Sequence, residues 1–260
     1  MSAMRIVFAT DLHGNESQYR QLADLVDATA ADLLILGGDL FAYCREAGPQ
    51  LAVARGPLRR FLEAVRSRVL WIPGNVDWPD AVECLEEMFA ENHRIQRLAL
   101  DPLQVPDGVD LVGYPYIPPS PFRIKHWERR DLSKDHATMP DPSFSSTIGN
   151  PLQRVPSDFL DSLPSIEEEL QEITRANIWV VHTPPFGGGL DTVGGDVAAG
   201  IRRGEHVGSK AVSQAIERLQ PVLTLHGHIH EAPVVSGRWI ERGSSRRVAT
   251  CPERALSTTA

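Results

Sequence analysis

Five short polar motifs hold the side chains of this sequence that could share a metal: Asp11-Leu12-His13, Gly38-Asp39, Gly74-Asn75, His182, and Gly227-His228-Ile229-His230. Carboxylate, imidazole and amide oxygen are hard-to-borderline donors, and a set built from them suits Mn²⁺, Fe or Zn²⁺. Taken singly, each motif has a plainer explanation. Asp11 and Asp39 are of the type that caps a helix after a turn. Asn75 is of the type that holds its own backbone in a turn, and an isolated histidine such as His182 is commonly a hydrogen-bonded interior residue.

The elements that must position these side chains argue for reading them together. Ile6-Val7-Phe8-Ala9 precedes Asp11, Leu33-Leu34-Ile35-Leu36 precedes Gly38-Asp39, and Val69-Leu70-Trp71-Ile72 precedes Gly74-Asn75. Ile178-Trp179-Val180-Val181 precedes His182, and Val222-Leu223-Thr224-Leu225 precedes His226 and the last motif. Unbroken apolar runs of this length predict strands covered on both faces. In such sheets ligands bind beyond the carboxyl ends of the strands, where all five motifs fall. Gly38, Gly74 and Gly227 are expected to let the chain turn sharply there. His226 precedes its glycine and is assigned to the strand end rather than to the site.

In this order the motifs resemble the calcineurin-like metallophosphoesterase superfamily, whose pattern is D-x-H, G-D, G-N-H-D/E, an isolated His and G-H-x-H. The likeness runs from about residue 5 to about residue 250. Within it, His182-Thr183-Pro184-Pro185, Leu190-Asp191 and His226-Gly227-His228-Ile229-His230-Glu231 are similar to small bacterial phosphodiesterases and their animal relatives. The resemblance implies an α/β fold, a four-layer α/β/β/α sandwich of two mixed sheets packed face to face with helices outside. It also implies two divalent ions, Mn²⁺ first and Fe or Zn²⁺ as alternatives. One ion would take Asp11, His13, Asp39 and His230, and the other Asp39, Asn75, His182 and His228, with Asp39 shared. Two dications about 3.5–4 Å apart repel strongly, and a shared carboxylate and hydroxide offset that repulsion while supplying the nucleophile.

One position departs from the pattern. Where the family carries histidine after the asparagine, this chain reads Gly74-Asn75-Val76-Asp77, and valine can neither transfer a proton nor donate a side-chain hydrogen bond. A general acid contributes about 10²–10⁴-fold to a rate, so either a substrate with a good leaving group or a substitute acid is expected. The candidates are His206, Asp77 and His126, with Asp77 also suited to orienting Asn75 or the turn at Trp78. Arg202 and Arg203 are candidates for binding phosphate oxygens. The expected activity is hydrolysis of a small phosphodiester by a metal-bridging hydroxide. A phosphomonoesterase acting on a small metabolite is the alternative, and a protein-interaction scaffold on the same fold is the reading from a different class.

Other features set the organisation. Helices are predicted from Ser17 to Ala28 with Ser17 as cap and Leu22, Leu25 and Val26 inward, from about Pro57 to Arg66, from Pro79 to Phe89, and from Lys210 to Leu219 capped by Ser209. Leu111-Val112-Gly113 reads as a strand, and Val234-Val235, Arg238-Trp239-Ile240 and Arg247-Val248-Ala249 as antiparallel strands. Nine of the chain's 20 prolines lie between Pro115 and Pro164, which excludes regular helix or central strand there. That stretch is either a cap over the cleft or a solvated insertion. Gly187 to Gly208 holds eight of the 20 glycines and is expected to form a wall of the cleft.

At 260 residues without a linker of disordered composition, a single domain is expected, with the insertion at about 115–164. The net charge of −8 argues against a general nucleic-acid binder. No apolar run approaches the roughly 20 residues of a membrane span. Met1-Ser2-Ala3-Met4-Arg5 lacks the marks of a secretory signal, and Cys44, Cys84 and Cys251 are too few and too scattered for a disulfide framework. A cytoplasmic location is the expectation.

Overall fold

The computed structural model describes residues 4–195, 201–242 and 247–250. The amino-terminal part alternates strand and helix: β1 (Ile6–Ala9), α1 (Glu16–Thr29), β2 (Leu33–Gly37), α2 (Ala47–Val53), α3 (Arg59–Ala64), β3 (Arg68–Ile72), α4 (Pro79–Phe89) and β4 (Ile95–Arg97). These four strands form one parallel sheet in the order β1-β2-β3-β4. A second sheet follows from β5 (Leu103–Val105), β6 (Val109–Tyr114), β9 (Ile178–Val181), β10 (Leu223–His226), β11 (Ile240–Arg242) and β12 (Arg247–Thr250), in the order β11-β12-β10-β9-β6-β5. Its central pairs are parallel and both edge pairs antiparallel. A small hairpin, β7 (Ser143–Ser145) with β8 (Gln153–Val155), lies in the proline-rich segment.

Residue alternation along the strands sorts the apolar side chains into three clusters, as a helix–sheet–sheet–helix stack requires. Leu34, Leu36, Val69 and Trp71 pack with the amino-terminal helices. Their neighbours Leu33, Ile35, Leu70 and Ile72 pack instead with Leu111, Ile178, Val180 and Leu225 of the other sheet. On the far side, Val112, Tyr114, Trp179 and Val181 meet α5 (Ile166–Gln171) and α6 (Lys210–Leu219). The two sheets touch closely at Gly113, where a Cβ would lie 2.6 Å from Ile72 Cγ2 and 2.4 Å from Leu98 Cβ.

Several local expectations need correction. The cap of α1 is Asn15, whose side chain accepts from the backbone N–H of Ser17 and Gln18, and Leu25 is exposed while Leu22 and Val26 are buried. The helix expected to start at Pro57 starts at Ala47: Pro57 sits inside a π turn, Ala54–Leu58, that links α2 to α3. Proline cannot donate the ordinary backbone bond, and the wider turn accommodates its ring. Val234-Val235 belong to a short helix, α7 (Ala232–Ser236), started by Pro233, and not to a strand. Cys44 and Cys84 are free thiols, and Cys251 lies outside the described residues.

The first part of the proline-rich segment is packed into the protein, while residues 133–164 are mostly exposed or part-buried. Trp127 joins the amino-terminal core and donates its Nε1–H to Asp77 O at 2.6 Å. Lys125 and Glu128 form a fully buried ion pair at 2.7 Å. Asp131 accepts from Ser209 Oγ and from the Lys210 N–H at the start of α6, which ties the segment to the second sheet's helix. Among the described residues, no helix is long and apolar enough to cross a membrane.

Candidate metal centre

The carboxyl ends of β1, β2 and β3 in one sheet and of β9 and β10 in the other meet at a single point. The turn after β1 is laced to the turn after β2 by three backbone bonds: Asp11 N–H to Gly38 O, His13 N–H to Asp39 O, and Gly14 N–H to Leu40 O, each 2.9–3.0 Å. The second sheet joins through His182 Nδ1, 2.8 Å from Gly37 O, and through the His228 N–H, which donates to the Asp11 carboxylate at 3.1 Å. Gly227 N–H donates to His182 O at 2.9 Å and closes the ring of turns.

Four of the expected ligands adopt a backbone conformation that side chains rarely take. Asp11, His13, Asp39 and His228 have φ of 57°, 46°, 49° and 69°. Left-handed φ at a non-glycine residue costs about 1–3 kcal/mol and persists where the surroundings over-determine it. The glycines beside them serve different ends. Gly38, at φ 104°, is needed for its turn, whereas Gly74 and Gly227 lie outside the positive-φ region and are needed for close approach. A Cβ at 74 would lie 2.3 Å from Asp39 Oδ1, and one at 227 would lie 2.5 Å from Asp11 Oδ2.

Asp11, His13, Asp39 and His230 each bring one donor atom to within 4.8 Å of the others. His230 Nε2 stands 3.0 Å from Asp11 Oδ1 and 3.2 Å from His13 Nε2. A second group adjoins the first at Asp39. His182 Nε2 lies 3.1 Å from Asn75 Oδ1 and 3.4 Å from Asp39 Oδ1, and the His182 and His228 ring centroids are 5.3 Å apart.

The donor chemistry fits cations. His182 and His13 both turn Nδ1 to a backbone carbonyl, Gly37 O at 2.8 Å and Phe41 O at 3.4 Å, which leaves Nε2 facing the site. Metal-binding histidines are held in this way. His182 Nε2 then confronts two oxygens, Asn75 Oδ1 and Asp39 Oδ1, an arrangement that a positive charge satisfies. Asp11 and Asp39 are almost fully buried, and buried carboxylates are paired or coordinate metals. Burial alone would raise the pKa of Asp11, yet the hydrogen bond from His230 and the charge of His182 outweigh it and hold the group ionised. Asp39 is likewise held ionised, burial being outweighed by His182. For His182, burial opposes protonation but the Asp39 carboxylate prevails and raises it to about 9, so in this site a proton occupies the place a dication would take. Burial, with the charge of His182, pushes His228 down to about 3 and keeps its ring neutral, the state in which imidazole binds metal.

The remaining candidates are held in other ways. Asp77 is completely buried and its two oxygens accept from the N–H groups of Leu40, Phe41 and Gly74, so it fixes the turns after β2 and β3. Burial, then the neighbouring Asp39 charge, raise its pKa to about 8 against the pull of those three bonds. Gln50 braces the same turns, with its amide nitrogen reaching Ala42 O and Val76 O and its oxygen accepting from the Trp78 N–H. Sequence reasoning missed it, because a glutamine on a helix carries no signal of a contact 26 residues away. His126 is engaged with Ser146 Oγ at 2.8 Å and edge-on to Trp78. Arg202 and Arg203 line an open depression of about 590 Å³ with Gly204 and Glu205. His206 pairs with Asp191 at 2.7 Å.

Comparison with known proteins agrees with this geometry. The family model described as calcineurin-like phosphoesterase matches residues 4–232. No curated protein sequence matches the chain. Among solved structures, TT1561 of Thermus thermophilus superposes with a TM-score of 0.61 at 14% identity, covering 98% of this chain and 91% of that one. A second crystal structure superposes with a TM-score of 0.58, also at 14% identity, covering 96% of this chain and 90% of the other. At such identity the likeness is one of fold.

Proposed function

The chain belongs to the calcineurin-like phosphoesterase family, and from that premise we propose that it is a dinuclear metal-dependent phosphodiesterase acting on a small substrate. Asp11, His13, Asp39 and His230 hold one ion, and Asp39, Asn75, His182 and His228 the other. The observation that carries this reading is the convergence of two donor groups on Asp39, with His182 Nε2 facing Asp39 Oδ1 and Asn75 Oδ1 and His230 Nε2 facing Asp11 Oδ1. Bound divalent ions, Mn²⁺ first among them, supply an acidified water as nucleophile and positive charge for the phosphate oxygens. The protein's own part is to hold the donors at fixed positions through the left-handed turns and the Asp77 and Gln50 bonds beneath them. Val76 favours a diester. It offers no donor where a dianionic monoester would need one more partner for its extra charge.

The test is hydrolysis of matched aryl mono- and diesters by protein loaded in turn with Mn²⁺, Fe²⁺ and Zn²⁺, with metal content measured on the same samples. Two ions per chain and faster diester turnover are expected. Asp39→Ala should lose both ions and all turnover, and His228→Ala one ion and most turnover. Wild-type rates in either variant would overturn the reading, and a folded protein that takes up no metal would favour an interaction scaffold.

A further inference from the structure

The loop between His182 and α6 folds back on itself as a short antiparallel ladder. Val193 N–H donates to Glu205 O, Gly204 N–H to Val193 O and Val207 N–H to Asp191 O, with Thr192 opposite His206. One end is anchored two residues beyond His182, where Pro184 O accepts from the Ser209 N–H. The other end reaches the residue after His230, since Gly194 N–H donates to Glu231 Oε1. The ladder therefore spans the rim of the metal centre from one ligand-bearing loop to another. At Gly194 the ladder rests against Glu231, where a Cβ would lie 3.7 Å from Glu231 Cγ.

His206 on this ladder is held as part of a pair. Its Nδ1 lies 2.7 Å from Asp191 Oδ1, and Asp191 is completely buried while the imidazole is part exposed. The other oxygen, Asp191 Oδ2, accepts from the N–H groups of Gly187 and Gly208, so the carboxylate cannot turn away. The Nδ1–H is thereby committed to the carboxylate, and Nε2 is the ring atom left for proton transfer. The Phe186 ring, 5.7 Å away between centroids, flanks the imidazole. A buried carboxylate that fixes the tautomer and orientation of a partly exposed imidazole is the arrangement by which histidines are made into proton-transfer groups.

We propose that His206 is the catalytic residue that protonates the leaving oxygen of the phosphoester, in place of the side chain missing at Val76, and that Asp191 is its positioning residue. This rests on the phosphoesterase reading above. In the step, a bond forms from a water oxygen to phosphorus as the bond from phosphorus to the leaving oxygen breaks. The leaving oxygen takes the proton from His206 Nε2, the attacking water releases its proton to solvent, and Nε2 is recharged from solvent afterwards. Asp191 keeps its hydrogen bond to Nδ1 throughout.

The test uses metal-loaded full-length protein and a series of methyl aryl phosphate diesters whose phenols run from nitro-substituted to unsubstituted. His206→Gln should lose about 10²-fold or more on the unsubstituted phenyl ester and little on the nitrophenyl ester, so that its rates depend far more steeply on the leaving group. Asp191→Asn should show the same trend to a lesser degree. A second readout does not depend on turnover: nitrogen NMR of the imidazole should find the proton of neutral His206 on Nδ1 in wild type, with or without metal, and moved toward Nε2 in Asp191→Asn. Thermal melts and metal content of His206→Gln should match wild type, and if Asp191→Asn fails to fold, His206→Gln decides alone. Turnover by wild type with an unchanged leaving-group dependence in His206→Gln overturns the pair and leaves the phosphoesterase reading standing. Wild type that hydrolyses no ester in the series overturns both.

Discussion

Gly74 shows how tightly single residues are specified around the two donor groups. A Cβ there would meet Asp39 N and Oδ1 at 2.3 Å and His182 Cε1 at 2.8 Å, and the first contact is backbone that cannot yield. Gly74→Ala is expected to destabilise the protein by about 1–3 kcal/mol, the usual range for overpacking, and to lower metal content in the same preparation. Urea titration and metal analysis would show the two losses together. At this scale the sequence was informative where spacing is short. His228 and His230, or Asp11 and His13, announce themselves as pairs, and the strand before each motif fixes which end of the sheet it occupies. The supports were harder to see. Asp77 stands two residues from Asn75 and reads as a neighbour of the site, yet its partners are backbone groups more than 30 residues earlier as well as Gly74. Spacing along the chain carries no trace of such contacts.

Among the elements, the proline-rich insertion is where sequence and structure part most. Its prolines excluded regular helix and central strand correctly but said nothing of docking, because what holds it is the long-range burial of Trp127 against the first core and the bonds of Asp131 to α6. Short apolar runs misled in the same way. Val234-Val235 fits a strand by composition, and only Pro233 at the first turn hints at the helix that forms. The π turn at Pro57 likewise has no sequence pattern of its own. The insertion makes the protein sensitive to acid. Burial, opposed weakly by Asp80, holds His126 neutral down to about 4 from its ordinary 6.5. Between those values the unfolded chain binds a proton that the folded one does not, so this residue's contribution to stability falls as pH drops from about 6.5 to about 4, by at most about 1.4 kcal/mol per pH unit. Any stability advantage of wild type over His126→Gln should therefore shrink across that window in urea titrations, and a constant difference would show that the ring stays solvated.

For the whole molecule, the two sheets were legible as a set of buried strands but their order was not. Placing β12 between β10 and β11, or β9 beside β6, depends on non-consecutive pairing that periodicity does not encode. That order sets the donors of β1, β2 and β3 against those of β9 and β10, so ions bound between them would tie one sheet to the other. Removing metal should therefore lower global stability and not only activity, by about 2.7 kcal/mol at a free ion concentration of 100 times Kd. Thermal melts with and without chelator would measure this, and Asp39→Ala should show no difference between them. The left-handed turns have a longer-range consequence. At His13 and His228 the backbone is one that glycine adopts freely and histidine only under constraint, with φ of 46° and 69°. Exchange of either histidine for glycine would relax the main chain while removing a donor, so drift away from catalysis runs downhill in conformational energy. A lineage freed from the need to hydrolyse esters would then be expected to lose these two histidines early and keep its fold.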